Sequence, residues 1–213
     1  MCGRYVLSDT EAVEKKFKTK VPASYNIAQS QNVLVLKPNP EMIKWSYSPK
    51  WKEDMNLINC RHETLLEKPS FRGSMRCVFV ANGWIEWQRF ENEKKPFFHS
   101  IKTELIYFAG IYNLTSGCAV VTCQSTQRIA QVHHRQPLLL EEKQISEWLS
   151  GKHQIERKKD DQVDFYEISK QINEWISGKH QTDRKIDNFV ELHEISQQVN
   201  NPKINDSQLL LEI

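Results

Sequence analysis

The sequence predicts an α+β fold, with a curved, largely antiparallel and barrel-like β-sheet core and peripheral helices. Five β-rich runs follow one another closely between residues 77 and 122, and two more lie between residues 32 and 47. Strands joined by such short connections pair mostly antiparallel. The helical signals flank this region on both sides. With 213 residues the chain is long enough for one large domain with a sizeable core.

Three helices are predicted from capping and periodicity signals. Ser8 and Glu11 form a capping-box pattern, which predicts a helix that ends near Phe17. Residues 125–132 favour one short helix, and residues 141–149 favour a longer one. We expect all three at the periphery of the sheet.

Seven strands are predicted, each bounded by residues that favour turns or loops. We expect them at residues 32–36, 42–47, 77–80, 84–90, 97–101, 105–112 and 118–122. The punctuating segments are Pro38-Asn39-Pro40, Asn82-Gly83, residues 92–95 and Thr115-Ser116-Gly117. The sheet therefore occupies the first two thirds of the chain.

The last third of the chain contains an internal repeat with a period of 27 residues. Residues 144–170 align with residues 171–197, and 16 of the 27 positions are identical. Two copies are too few for a solenoid, so the simpler interpretation is a tandem duplication of one helix-plus-strand unit. We expect a single domain over residues 1–213, in which only one copy need occupy the core.

The composition indicates a soluble globular protein. Hydrophobic residues make up 39 % and charged residues 26 % of the chain. No apolar run reaches the ~18 residues of a membrane span, and no signal peptide is visible. The five cysteines are odd in number and lack metal-ligand spacing, which favours reduced thiols, a cytoplasmic location and no metal site.

The charge is distributed unevenly along the chain. Residues 1–140 hold 19 Lys and Arg against 12 Asp and Glu, which gives +7. Residues 141–213 hold 10 against 15, which gives −5. A basic first part is typical of proteins that meet a polyanion, while a solvated surface of mixed charge is the alternative that remains open.

The start of the chain carries an unusual pair of reactive groups. Initiator methionine is usually removed when the next side chain is small, so we expect the mature chain to begin at Cys2. An α-amine titrates near ~7.7–8.0 and a thiol near ~8.5, so both are partly deprotonated at neutral pH. Together they can condense with an aldehyde, because the amine forms an imine and the thiol then closes a thiazolidine ring.

Further segments carry residues suited to chemistry or binding. Singly, their tryptophans favour core packing, Asn59 favours a turn and Glu86 a solvent-facing strand position. Taken together and in order, the segments resemble the SOS response-associated peptidase (SRAP) family. The resemblance rests on Met1-Cys2-Gly3-Arg4, residues 45–51, residues 59–64, residues 76–87, Phe108-Ala109-Gly110-Ile111 and residues 132–137.

The resemblance covers residues 1–150 and resumes weakly at residues 199–202 and 205–207. It therefore makes the second repeat copy the family's C-terminal part and the first copy an insertion. Three positions depart from the family pattern, which has glycine, alanine and methionine where this chain has Ser46, Cys60 and Gln136.

The resemblance implies a covalent sensor of abasic sites in single-stranded DNA. The C1′ aldehyde of the opened sugar would react with Cys2, and Glu86 and His133 would move the protons. Asn59 would orient the amine or the sugar. The activity implied is autocatalytic DNA–protein crosslinking, with peptidase or abasic-site lyase activity beside it and no cofactor. We expect a monomer that associates with the nucleoid when it is bound to DNA and does not associate with membranes.

The resemblance and the side-chain chemistry together suggest a set of DNA contacts. Arginines would hold phosphates, tryptophans would stack on exposed bases or separate strands, and one threonine would lie near the site. Binding should then weaken with salt. The candidates are Arg4, Trp45, Trp51, Arg61, Arg76, Thr122 and Arg135.

Two other functions remain open from the sequence. In a cysteine peptidase that acts on its own N-terminus or on other chains, Cys2 and His133 would form the nucleophile and base, oriented by Asn59 or Glu86. In a non-covalent module for single-stranded nucleic acid, Cys2 would merely pack. A peptidase needs the thiol but not the free amine, so the two covalent functions can be distinguished.

Overall fold

The computed structural model describes residues 2–91, 93–102, 105–150 and 185–213. The strands and helices, apart from short 3-10 turns, are β1 (Arg4–Leu7), α1 (Thr10–Phe17), β2 (Ser24–Ala28), β3 (Asn32–Leu36), β4 (Pro40–Lys44), β5 (Asn59–Arg61), β6 (Met75–Ala81), β7 (Gly83–Phe90), β8 (Glu93–Ser100), β9 (Ile106–Asn113), β10 (Gly117–Gln124), α2 (Gln127–Ala130), β11 (Arg135–Pro137), β12 (Leu139–Leu140), α3 (Glu142–Leu149) and β13 (Glu191–Glu194).

The strands form two open sheets. The smaller sheet has the order β13-β8-β7-β1-β2, and the larger has the order β11-β10-β9-β6-β3-β4. Strand β12 also pairs with β9, and β5 pairs with β10 in parallel, while the other pairs of named strands are antiparallel. The expected α+β class with a largely antiparallel core is therefore confirmed, although neither sheet closes into a barrel.

Strand β1 separates two apolar clusters by the alternation of its side chains. Tyr5 faces the main core between the sheets, where its ring lies 5.4 Å from that of Trp45 and 6.2 Å from that of Phe79. Val6 faces the other way and packs with Ile85 in a second cluster. The C-terminal segment covers this second face, so the first strand is buried on both sides.

Helix α1 ends at Phe17, as predicted, but its cap differs from the prediction. Asp9 is the N-cap, and its side chain accepts a hydrogen bond from the backbone N–H of Ala12 (3.0 Å). The predicted cap, Ser8, instead donates its backbone N–H to Asn82 Oδ1 (2.8 Å). The helix starts one residue later because Asn82 already holds the chain at Ser8.

The other predicted elements are mostly confirmed, with shifted ends. Residues 125–132 contain only the four-residue α2, because the rest of this segment connects two sheet strands. The strand expected at residues 42–47 ends at Lys44, after pairing with β3 from Pro40 onwards. Strand β8 begins at Glu93, inside the expected turn, because β7 and β8 form a long hairpin.

The repeat contributes one element from each copy to the described structure. From the first copy, α3 packs on the main core, where Trp148 is buried and donates to the backbone oxygen of Cys77 (2.8 Å). From the second copy, β13 pairs with β8 at the edge of the smaller sheet. The interpretation of the first copy as an insertion and of the second as the family's C-terminal part stays a prediction. The remaining repeat residues, 151–184, lie outside the described residues.

The segment that resembles the family's C-terminal part is anchored to the smaller sheet. Asn26 on β2 is 1 % exposed, and its Nδ2 lies within 3.0–3.2 Å of the backbone oxygens of Val199, Asn201 and Ile204. Trp87 on β7 donates its indole N–H to Asn200 Oδ1 (2.8 Å). These bonds fix the C-terminal segment behind the strands that carry the start of the chain.

Candidate active site

Cys2 lies just before β1 and is fully buried. Its thiol donates to the backbone oxygen of Arg4 (Sγ···O 3.7 Å), and Asn59 Nδ2 donates to the backbone oxygen of Cys2 (2.8 Å). Burial, and then the nearby Glu86 carboxylate, raise the pKa of the Cys2 thiol far above its usual range. At neutral pH the thiol is therefore protonated.

Asn59 begins β5, which pairs in parallel with β10 and so brings the asparagine to the start of the chain. Its amide nitrogen is used by Cys2, while its Oδ1 is buried and has no hydrogen-bond partner among the described residues. A buried acceptor without a donor is costly, about 1–3 kcal/mol. This oxygen is therefore suited to accept a hydrogen bond from a ligand hydroxyl or amine.

Glu86 is on the buried face of β7 and is 2 % exposed. Strand β1 pairs with β7 so that Arg4 lies opposite Ile85, and this register continues to place Gly3 opposite Glu86. Burial raises the pKa of Glu86 to about 7. A carboxyl group with this pKa can donate or accept a proton near neutral pH.

His133 lies between α2 and β11 and is half-buried. Its Nδ1 lies 3.0 Å from the backbone nitrogen and 3.1 Å from the backbone oxygen of Arg135, so it accepts or donates a hydrogen bond according to the tautomer. Its ring stacks on that of His134 with centroids 4.4 Å apart. Burial, with the positive charge of Arg89 nearby, lowers the pKa of His133, so the ring is mainly neutral at pH 7.

An ion pair between the buried Arg135 and the partly exposed Glu63 joins β11 to the 3-10 turn that follows β5, behind these residues. Arg135 is 7 % exposed and donates to both carboxylate oxygens of Glu63, at 2.5 and 2.9 Å. It also donates to the backbone oxygen of Thr122 (2.6 Å), whose hydroxyl donates to the backbone oxygen of Cys60 (3.2 Å). Because Asn59 and His133 each lie close in sequence to this network, it fixes the backbone segments that carry them.

Comparisons with known proteins identify the family to which this arrangement belongs. The sequence model of a family described as SOS response associated peptidase (SRAP) matches residues 1–202. The chain belongs to this family. The match includes all the predicted catalytic residues and ends within the C-terminal segment that is anchored by Asn26.

Two curated relatives of this chain have the name abasic site processing protein. YobE of Bacillus subtilis is 31 % identical over 182 residues, covering 71 % of this chain and 83 % of YobE. YedK of Escherichia coli is 29 % identical over 183 residues, covering 71 % of this chain and 82 % of YedK. A crystal structure of a protein from Bacteroides thetaiotaomicron superposes over 100 % of both chains with a TM-score of 0.74 at 15 % identity, so the two proteins share a fold.

The predicted DNA contacts of this SRAP chain fall into exposed and buried residues. Arg61 is exposed, Arg4 is about half-buried, and Trp51 is 62 % exposed on a turn near Ser48. Ser48 is held by Asn113, whose Nδ2 donates to its backbone oxygen (2.8 Å). These three candidates can reach a ligand from the surface.

Two other candidates are placed differently from the expectation. Trp45 is fully buried, and its indole N–H donates to the backbone oxygen of Ile58 (2.8 Å). A base cannot stack on a ring in this position, so the role expected for Trp45 is wrong. Arg76 lies 4.0 Å from the centroid of the Trp148 ring, so its guanidinium packs against α3.

The remaining candidates, Thr122 and Arg135, are also buried. Their polar groups are used by the Glu63 network, so in this conformation they position the strands around the site. Glu63 lies in the segment 59–64 that carries part of the family resemblance. Nothing in that segment predicts a bond between Glu63 and Arg135. Only the tertiary pairing of β5 with β10 brings it there.

Two polar residues near the site, Gln88 and His99, were not predicted. Gln88, two residues after Glu86 on β7, donates its Nε2 to the backbone oxygen of Gln131 (2.8 Å). His99 is fully buried on β8, stacks on Trp84 with centroids 4.8 Å apart, and has its pKa lowered by burial to about 4. Their sequence signals are single polar residues in β-rich runs, which usually face solvent.

The described residues offer neither a metal site nor a membrane-spanning helix. In these parts of the chain, no group of three or more His, Cys, Asp and Glu side chains could hold a metal ion. None of the helices that the structure describes combines the length and the apolarity needed to cross a membrane. All five cysteines are buried and unpaired with each other.

Proposed function

We propose that this SRAP protein captures abasic sites in single-stranded DNA by forming a thiazolidine crosslink through Cys2. The observation that carries the proposal is the placement of Cys2 in contact with Asn59 and near the titratable carboxyl group of Glu86. The names of YobE and YedK, which describe abasic site processing, support the same substrate.

The proposed reaction releases one water molecule for each crosslink. After removal of Met1, the Cys2 amine adds to the C1′ aldehyde of the opened sugar and gives a carbinolamine. The carbinolamine loses water to form an imine. The Cys2 sulfur then adds to the imine carbon, the thiol proton passes to the nitrogen, and the five-membered ring closes.

Burial of the thiol sets the order of these steps. Because the pKa of Cys2 is raised, the thiol is a poor nucleophile before the imine forms, and the amine attacks first. The carbon of the protonated imine is more electrophilic than that of the aldehyde, so a thiol that loses its proton to a neighbouring base can add to it, and the nitrogen then keeps its proton as a neutral amine. A buried, protonated thiol is poorly suited to a cysteine peptidase, in which the thiolate attacks directly.

Glu86 and His133 divide the proton transfers. Glu86, with a pKa of about 7, accepts a proton from the attacking amine and donates one to the departing water. His133, mainly neutral, donates a hydrogen bond to an oxygen of the sugar or accepts one from its hydroxyl, according to its tautomer. Asn59 holds the Cys2 backbone through Nδ2 and offers Oδ1 to the sugar hydroxyl or the amine.

The surface candidates bind the strand around the reacting sugar. Arg4 and Arg61 hold phosphates, and Trp51 stacks on an unpaired base, a contact worth about 1–3 kcal/mol. A phosphate contact by Arg135 would have to compete with Glu63, so we assign Arg135 and Thr122 mainly to the support of the site. An imine that is not closed by the thiol also permits β-elimination, which is the route to lyase activity.

Intact mass spectrometry after incubation with single-stranded DNA carrying one abasic site tests the proposal. The wild-type protein should lack Met1 and gain the mass of the DNA minus one water in an adduct that survives denaturation. Cys2→Ala should form no such adduct. Cys2→Ser keeps a free amine after methionine removal, so it should form an adduct that is stable only after borohydride reduction.

The alternatives give different results in the same experiment. A stable adduct with Cys2→Ala, in a folded protein, would rule out the proposed chemistry. A wild-type protein without Met1 that binds intact and abasic DNA equally, and forms no adduct, would support a non-covalent module. Cleavage of a peptide substrate by a protein whose amine is acetylated would instead favour the peptidase.

A further inference from the structure

His133 is on a connection between β10 and β11, residues 125–134, which we call the His133 loop. Two bonds close the loop at its base: Ser125 donates its backbone N–H to the backbone oxygen of His134 (3.1 Å), and Gln136 Oε1 accepts from the backbone N–H of Thr126 (3.1 Å). Both bonds join the loop to its own sheet. Neither fixes it relative to β7, where Glu86 lies.

The bond from Gln88 supplies that missing connection. Residues two apart on a strand face the same side, so Gln88 and Glu86 project from the same face of β7. Gln88 Nε2 donates to the backbone oxygen of Gln131 (2.8 Å), two residues before His133. One end of this bond is therefore two residues from Glu86 along β7, and the other end is two residues from His133 along the loop.

We propose that Gln88 is a positioning residue that holds the His133 loop at a fixed distance from Glu86, so that both groups can act on one sugar. The inference rests on the proposed function, because the distance matters only if Glu86 and His133 share a substrate. A proton donor or acceptor displaced by about 1 Å can lose a large part of its effect. Ile129 anchors the helical turn of the loop in the main core, and the Gln88 bond fixes the backbone after this anchor, which leads to His133.

A neutral amide suits this position better than a charged group. A carboxylate at Gln88 could not donate to the Gln131 oxygen and would place a second negative charge beside Glu86. Arg89, the next residue, is exposed and near enough to His133 to affect its charge. Strand β7 thus presents the neutral amide of Gln88 to the loop backbone, while the charged side chain of Arg89 lies at the surface.

The rate of crosslinking at saturating DNA tests the role of Gln88. Gln88→Met keeps the length of the side chain and removes the donor, and we expect its rate to fall about tenfold while its affinity for intact single-stranded DNA stays unchanged. Gln197→Met is the matched control. Gln197 Nε2 makes the same type of bond, to the backbone oxygen of Lys94 (2.7 Å), in the C-terminal segment, and its loss should leave the rate unchanged.

A double-mutant cycle separates positioning from a general structural effect. If Gln88 acts through His133, adding Gln88→Met to His133→Ala should slow the reaction no further. A full, multiplicative loss in the double variant would overturn the inference, as would a wild-type rate in Gln88→Met alone. If even the wild-type protein forms no adduct, the proposed function fails first, so the two failures can be distinguished.

Discussion

Burial gives the two acidic groups near the start of the chain complementary properties. Cys2 and Glu86 are both almost inaccessible, and burial raises the pKa of each. The pKa of the thiol is raised far above 7, so the thiol stays protonated. The pKa of the carboxyl group is raised to about 7, so this group titrates under physiological conditions. One physical effect therefore produces a late nucleophile and an acid–base group side by side.

The raised pKa of Glu86 has a consequence for stability. The unfolded carboxyl group ionises near ~4.3 and the folded one near about 7, so between these pH values the folded state binds more protons. Stability must then fall as pH rises through this window. Glu86→Gln is neutral throughout and should gain stability relative to wild type, reaching on the order of 3 kcal/mol above pH 7.

Urea unfolding of both proteins at pH 4, 5, 6, 7 and 8 measures this difference. The two should be equally stable near pH 4, and the gap should widen up to pH 7 and then stay constant. The same Glu86→Gln protein should crosslink slowly at every pH, because an amide cannot exchange the proton. A stability difference that does not change with pH would contradict the assignment of a buried, titratable carboxyl group.

Side chains that act through their chemistry could be predicted from the sequence, and those whose role depends on exposure could not. Cys2 was recognisable because it follows the initiator methionine, and its family resemblance led to Asn59 and Glu86. For Trp45 the same segment gave the wrong role, because indole rings serve equally well for stacking and for core packing. Exposure is decided by distant strands, which a local pattern does not contain.

At the scale of elements, the long strands could be predicted and the short strands around the site could not. Strands β6, β7, β9 and β10 have seven or eight residues, rich in apolar and aromatic side chains, between turn signals. Strands β5 and β11 have three residues each, too few for any alternation. Their pairing with β10 defines the site, and it depends on contacts far apart in sequence.

The ion pair between Glu63 and Arg135 should stabilise this arrangement of short strands. Removing the carboxylate in Glu63→Ala leaves a buried guanidinium without its charged partner, which we expect to cost about 2 kcal/mol. For a domain of this size that corresponds to a fall in Tm of roughly 4–8 °C. Differential scanning calorimetry of the wild type, Glu63→Ala and Glu63→Gln measures these changes in Tm.

Glu63→Gln is the matched variant, because its amide oxygen can still accept one of the two bonds. Its Tm should fall by less than that of Glu63→Ala. If both variants melt like the wild type, the pair contributes nothing to stability, and the desolvation of Arg135 must offset its bonds completely.

At the scale of the whole molecule, the fold is completed by one helix and one strand taken from different repeat copies. Helix α3 covers the larger sheet and β13 extends the smaller one. The 3-10 turn of residues 185–189 lies against β12, as α3 does, and its Ile186 packs on the main core. Helix α3 and the 3-10 turn that begins the C-terminal segment therefore both lie next to β12.

Because α3 and the 3-10 turn of residues 185–189 both lie next to β12, we expect that one repeat period can be deleted. Deleting residues 151–177 joins Ser150 to Gly178 and recreates the sequence that originally follows Ser150, since Gly178-Lys179-His180-Gln181 equals Gly151-Lys152-His153-Gln154. All residues of α3 and β13 remain. We expect the shortened protein to fold with an unchanged Tm and to keep its crosslinking rate.

A deletion of equal length elsewhere provides the control. Removing residues 178–204 takes away β13 and the three backbone oxygens that accept from Asn26, so it should expose the apolar face formed by Val6 and Ile85 and lower the Tm steeply. Thermal melting of the two shortened proteins beside the wild type distinguishes them. If deleting residues 151–177 were as damaging as deleting residues 178–204, the extra period would be a required part of the fold, because both deletions remove the same length of chain.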